Sequence, residues 1–190
     1  MKKIIIVAAA LLAGFVANAQ SIWLTGSYIN EKYSATALGI TTTGTENGFI
    51  AGVEYDFDIN DWFTIAPAFT VNGLFGKDEL SKDNYFGIEI PIYLRGTYNI
   101  NKDLGIFAQV APDLSVGLFD NVTVGSADPV DVIGDELKRV GVYAVFGAGI
   151  EIKNAFRVFA NYSIGITDRS AIDNITGKSN CIDAGIAFGF

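Results

Sequence analysis

Between Tyr85 and Leu118 apolar and polar positions alternate one for one. Phe86, Ile88, Ile90, Ile92, Leu94 and Tyr98 share one parity, with Gly96 the single gap. Tyr85, Gly87, Glu89, Pro91, Tyr93, Arg95 and Thr97 share the other. After a polar break at 99–103 the alternation resumes from Leu104, with Ile106, Ala108, Val110, Pro112, Leu114, Val116 and Leu118 set against Gly105, Phe107, Gln109, Ala111, Asp113, Ser115 and Gly117. A period of two places successive side chains on opposite faces of a strand. Two such runs around a short break predict a β-hairpin.

These runs are longer than the usual strand of about 5–6 residues. A strand that crosses a bilayer at a tilt needs roughly 9–11. One face stays apolar along its whole length, while the charges Glu89, Arg95 and Asp113 sit among small residues on the other. That distribution suits a barrel whose outside faces hydrocarbon and whose narrow lumen is polar.

The same alternation predicts six more strands, at 20–29, 48–58, 62–75, 139–152, 156–166 and 181–190. It points Ile90, Phe146 and Ile186 outward, and turns Glu54, Asp56, Glu151, Arg157 and Asp183 inward beside Glu89, Arg95 and Asp113. The fold class is therefore all-β: an eight-stranded antiparallel transmembrane barrel. Tight turns centre on Asn60, Asn101 and Asn154, a residue that tolerates the left-handed backbone of a hairpin loop. The connections at 30–46, 76–84, 119–138 and 167–180 are long and polar. Short turns at one end and long loops at the other match periplasmic and extracellular ends. Outward aromatics near both ends, including Tyr55, Phe57, Tyr98, Phe49 and Phe75, form two girdles. Pro67, Pro91 and Pro112 fall inside strands of a sheet without an edge, which predicts bulges there or misplaced strand centres.

Even-numbered residues point outward on both the sixth and seventh strands, so paired numbers share parity. The shortest turn with Asn154 central sets Glu151 against Arg157 and Ile152 against Phe156. A shifted register would set Gly149 against Arg157. In a wet periplasmic mouth the Glu151–Arg157 pair is expected to contribute on the order of 1 kcal/mol.

Lys2 and Lys3, an apolar run to Val16 and the small residues Ala17, Asn18 and Ala19 have the form of a secretory signal peptide. Residues 1–19 are thus expected to be cleaved, leaving 20–190 as one barrel domain in the bacterial outer membrane. Without Lys2 and Lys3 the net charge moves from −8 to −10, which argues against nucleic-acid binding. The lone Cys181 has no internal disulfide partner. It falls on the inward face as a small lumen filler.

The chain has no His, which removes Ser-His-Asp hydrolysis and His metal sites. The inward carboxylates could in principle do acid–base work. An eight-stranded barrel is only wide enough for side chains to fill, so the expected arrangement is a plugged lumen charge network of Glu54, Asp56, Glu89, Arg95, Asp113, Glu151, Arg157 and Asp183. No catalytic residue, cofactor or metal is assigned. Asp120, Asp128, Asp131, Asp135 and Glu136 in one loop leave calcium binding open, though their spacing matches no EF-hand.

The terminal Phe190, with Phe188, Ile186 and Ala184 alternating before it, resembles the closing-strand signal read by the outer-membrane assembly machinery. The runs from Glu89 to Leu94 and from Val110 to Leu118 resemble the small outer-membrane barrel family that includes OmpX-like and PorT-like proteins. The resemblance implies the barrel fold and a functionally mixed family, in which some members assist secretion. The expected role is a structural or surface-interaction protein without catalytic activity. Its expected partners are outer-membrane lipid, the assembly machinery and an unidentified protein at the extracellular loops. A narrow pore, a secretion-assisting barrel and a soluble lipocalin-like barrel are the alternatives.

Overall fold

The computed structural model describes residues 21–77, 81–125, 127–153 and 155–190. The signal segment 1–19 and Asn154 of the third tight turn lie outside the described residues. Eight long strands carry the fold: β1 Ser21–Ala37, β2 Ile40–Asn60, β3 Phe63–Lys77, β4 Ser81–Asn101, β5 Leu104–Val124, β7 Val140–Ile152, β8 Phe156–Gly165 and β9 Ile175–Gly189. A two-residue strand, β6 Val130–Asp131, pairs with the outer end of β5.

Hydrogen bonding runs β4-β3-β2-β1-β9-β8-β7-β5, and β4 pairs back to β5, so the sheet closes on itself. Every pairing between neighbours is antiparallel. The seam joins the first strand to the last. There the Phe190 amide donates to the Ile22 carbonyl at 2.9 Å. Closure removes the edges that an open sheet would present to lipid, where unpaired backbone groups cost several kcal/mol each.

The alternation read from the sequence holds along the middle of the strands. Ile90, Ile92, Leu94, Val110, Leu114, Phe146, Val158 and Ile186 are exposed on the outside. Arg95, Phe107, Gln109, Asp113, Tyr143, Val145 and Arg157 are buried inside. Aromatic contacts mark the two rims: Trp62–Phe63 and Phe156–Phe188 at the tight-turn end, Phe49–Phe75 and Phe86–Phe119 at the other. Tyr55, expected in the lower girdle, keeps its outward parity but is buried.

The strands run further outward than expected. Residues 30–46 are not a loop: β1 and β2 stay paired from Asn30 and Asn47 to Ala37 and Ile40, around a two-residue turn at Leu38 and Gly39. Both turn residues have positive φ, 50° and 79°, the backbone that keeps a two-residue hairpin in step with strand twist. β3 and β4 likewise extend into 76–84, β5 continues to Val124, and β9 starts at Ile175 rather than Cys181. Beyond the bilayer both faces of a strand are wet, so polar residues occupy both and the alternation fades.

Two local expectations are corrected. The prolines produce no bulge: register is unchanged on either side of Pro67, Pro91 and Pro112. A bulge lies instead between Phe86 and Gly87 opposite Phe119 and Gly117, with Leu118 as the extra residue, and the other register shifts fall beside the tight turns, at Asp58/Asn60 and Asn99/Asn101. An extra residue reverses parity beyond it, so Phe119 faces out against Phe86 and Asp120 turns in. The turn asparagines also act differently from expectation. The side-chain oxygens of Asn60 and Asn101 accept the amides of Trp62 at 3.0 Å and Asp103 at 2.8 Å. These are Asx turns, and at the third turn Lys153 carries the positive φ.

Ile90→Lys or Phe146→Lys places an ammonium in the apolar band, and each is expected to destabilise the barrel by roughly 2–4 kcal/mol. Refolding into lipid vesicles measures this, and wild-type stability of either variant would overturn the inside–outside assignment.

Candidate functional site

The lumen near the tight-turn end is filled by one layer of charged side chains. β2 supplies Glu54 and Asp56, two residues apart on the inward face. β4 supplies Arg95, β7 Glu151 and β8 Arg157. The Arg95 guanidinium donates to Glu54 at 2.8 Å and to Asp56 at 3.2 Å. Arg157 donates to Glu54 at 2.7 Å, to Asp56 at 2.6 Å and to Glu151 at 2.6 Å. Glu54 Oε1 thus accepts from both arginines, while Asp56 offers one oxygen to each. Arg95 is 2 % exposed and Arg157 4 %. Guanidinium keeps its charge when buried, and its fork of donors suits several carboxylates at once.

The register across β7 and β8 sets Glu151 opposite Arg157 and Ile152 opposite Phe156, the first of the two considered from the sequence. The mouth is not wet as expected, because Arg157 also stacks on Trp23, its guanidinium carbon 3.5 Å from the ring centroid. Phe107 lies between the arginines, 5.1 Å from Arg95 and 5.9 Å from Arg157. Aromatic faces favour a nearby cation by about 2 kcal/mol where water is excluded.

A second string of bonds leads from this layer up the lumen. Gln109 accepts from Arg95 at 3.0 and 2.8 Å and donates to Asn161 at 2.9 Å. Asn161 in turn donates to Asp183 at 3.1 Å. Glycines on β7 leave room for it: a Cβ at Gly147 would collide with Asn161, and one at Gly149 with Phe107.

Five of the eight expected network residues therefore touch one another: Glu54, Asp56, Arg95, Glu151 and Arg157. Asp183 joins only through Asn161 and Gln109. Glu89 lies apart, accepting from Asn72 at 2.9 Å. Asp113 forms no ion pair among the described residues. Phe188 and Phe190 are exposed on the outside of the seam strand. Sequence reasoning missed Trp23, Gln109 and Asn161 as members of the network, although their inward parity was available. It also missed Glu31, Glu46, Asp83 and Asp120, which line the outer lumen, because extended strands and a bulge carry them there.

The outer rim is tied by two aspartates. Asp131 accepts the amides of Asp120 at 3.0 Å and Ile133 at 3.1 Å. Asp168 accepts those of Gly177 at 2.8 Å and Ser170 at 3.0 Å. These backbone donors hold both carboxyls below the ordinary aspartate value of 3.8. Among the described residues no group of three His, Cys, Asp or Glu could hold a metal ion.

Residues 6–190 match the protein family described as outer membrane protein beta-barrel domain. Solved structures similar to the chain include Ail, the attachment invasion locus protein of Yersinia pestis, at 13% identity and TM-score 0.44, covering 88% of this chain and 98% of that one. Neisserial surface protein A is similar at 12% identity and TM-score 0.47, with 88% and 97% covered. OprG from Pseudomonas aeruginosa is similar at 10% identity and TM-score 0.46, with 91% and 97% covered. No curated protein matches the chain in sequence.

Two tests follow from this geometry. A double-mutant cycle on Glu151→Gln and Arg157→Gln, read by unfolding in detergent, is expected to give a coupling of roughly 1.5–3 kcal/mol, the range for hydrogen bonds to charged groups. A coupling near zero would contradict the buried pair. At the rim, carboxyls with lowered folded values contribute order that is fully present above 3.8 and lost as pH falls through those values. Amide exchange at Asp120 and Gly177 is expected to accelerate on acidification below that point, and Asp131→Asn and Asp168→Asn should remove the dependence.

Proposed function

The chain belongs to the outer membrane protein beta-barrel domain family, and from that premise we propose that it is a closed, non-catalytic barrel that presents its outer hairpins for interaction. The observation that carries this reading is the Arg95–Arg157 layer, in which both cations and the carboxylates of Glu54 and Asp56 are buried and bonded across the lumen. A lumen filled this way leaves no water-filled path for solutes. Glu54, Asp56 and Glu151 are held by arginines, and the chain has no His to pair with a nucleophile.

The outer ends of the strands support the interaction role. The β1–β2 hairpin carries exposed Leu38 and Ile40 at its tip and Tyr33 further down β1, all beyond the aromatic rim. The paired register of β2 with β3 stops at Asn47 and Phe75. A protein partner would meet this hairpin and the segment 119–138. At the opposite end, Phe190 closes the seam by its backbone and leaves its ring exposed. This suits a residue that the assembly machinery reads before closure.

Conductance of the refolded barrel in planar bilayers tests the closed lumen. The expected result is a current no larger than that of lipid alone, and regular stepwise currents would establish the narrow pore instead. Deleting Phe190 is expected to lower outer-membrane levels in cells while refolding in detergent persists. Wild-type levels of the truncated protein would remove the assembly role.

A further inference from the structure

Above the arginine layer the lumen holds a cavity of about 410 Å³ that continues to the outer rim. Its wall is layered. Arg95 and Arg157, with Glu54, form its floor, and above them Glu89, Asp113 and Asp183 lie close enough to repel one another. Next comes an apolar collar in which Ile29, Leu74, Tyr85, Ile133, Tyr143 and Cys181 pack together. Glu31 sits at the outer edge of the collar, opposite Cys181, and beyond it lie Glu46, Asp83 and Asp120. Strand order shows the layering directly: on β4 Tyr85 separates Asp83 from Glu89, and on β1 Ile29 precedes Glu31.

None of the seven carboxylates above the floor has an ion pair among the described residues, where the arginine pairs all fall in the deep layer. Arg169 sits at the collar, but it donates to the Lys138 carbonyl at 3.1 Å and the Tyr143 hydroxyl at 3.4 Å rather than to a carboxylate. Among the described residues, four buried side-chain atoms lack a hydrogen-bond partner: Asn72 Oδ1, Asp83 Oδ1, Asp113 Oδ1 and Asp120 Oδ1. All four are acceptor oxygens, and their residues line this one cavity. Asn72 is 3 % exposed, Asp113 6 % and Asp120 7 %. Buried acceptors without donors are costly, and their common sign calls for a ligand that only donates.

The geometry points to a binding site for a linear polyamine-class organic cation, with ammonium groups on the inner and outer carboxylates and methylenes against the collar. An ammonium carries three donors and no acceptor, and its bonds to carboxylates are charge-assisted. Asp113 and Asp120 lie roughly 20 Å apart along β5 at about 3.3 Å per residue, a rise of about 15 Å along the lumen at the usual strand tilt, which an extended triamine hydrogen-bonded at each end spans and a single compact ion does not. No three carboxylates converge as a metal site among the described residues, which also favours an extended ligand.

Calorimetric titration of the refolded full barrel in detergent, at fixed ionic strength, tests this with spermidine and hexaamminecobalt, which carry equal charge in extended and compact form. Spermidine is expected to bind one to one and at least about tenfold more tightly than the cobalt complex, the equivalent of one charge-assisted hydrogen bond. The shorter diaminobutane should bind more weakly than spermidine. Equal binding of spermidine and cobalt complex, or none by either, overturns the site and leaves only a diffuse acidic surface. Glu89→Gln with Asp113→Asn, and separately Asp83→Asn with Asp120→Asn, should each weaken spermidine by about tenfold or more. Unchanged affinity in either pair also overturns it. These substitutions remove unpaired buried charge and should preserve folding. The wild-type comparison decides the matter independently of them.

Discussion

Two guanidinium groups inside a closed sheet set the conditions for the rest of the lumen. Each must be paired where it lies, because an unpaired buried charge costs several kcal/mol. Glu54 and Asp56, two residues apart on one strand, serve both arginines from one side. Glu151 answers Arg157 across the β7–β8 register, and Gln109 answers Arg95 across the β4–β5 register. The layer therefore depends on two strand pairings being in register at once. A one-residue slip in either would turn a charged or polar side chain into lipid. Charge pairing and barrel register specify each other.

The layering of the lumen follows from where the positive charge is spent. Both deep arginines are neutralised at the tight-turn end, and the bonds through Gln109 and Asn161 reach only as far as Asp183. Above that point the wall is acidic, interrupted by the collar around Ile29 and Tyr85. The closed lower end and the cation-binding upper end that we propose are compatible, because different residues perform each.

How much of this was legible depends on where a residue sits relative to the bilayer. Within the apolar band a side chain meets either hydrocarbon or lumen, so Ile90, Arg95, Val110 and Asp113 declare their faces by parity alone. That contrast is absent for Thr41 to Thr45, which form strand in water and read as loop. Leu118 marks a second limit. Its bulge reverses parity, so the inward position of Asp120 cannot be counted from the alternation before it. The prolines misled in the opposite direction, because the closed ladder keeps its register through a locally missing donor. Trp23 shows a third limit: parity turns it inward, but only the structure shows that its partner there is Arg157.

The central claim is that Arg95 and Arg157 are bonded and shielded from water within the lumen. Hydrogen exchange at the arginine Nε–H groups, followed by nuclear magnetic resonance on the refolded barrel, tests it most directly. The account predicts slow exchange for Arg95 and Arg157, whose Nε–H groups donate to Gln109 and Glu151, against fast exchange for exposed Arg139. Exchange of all three at the same fast rate would contradict a closed charged layer.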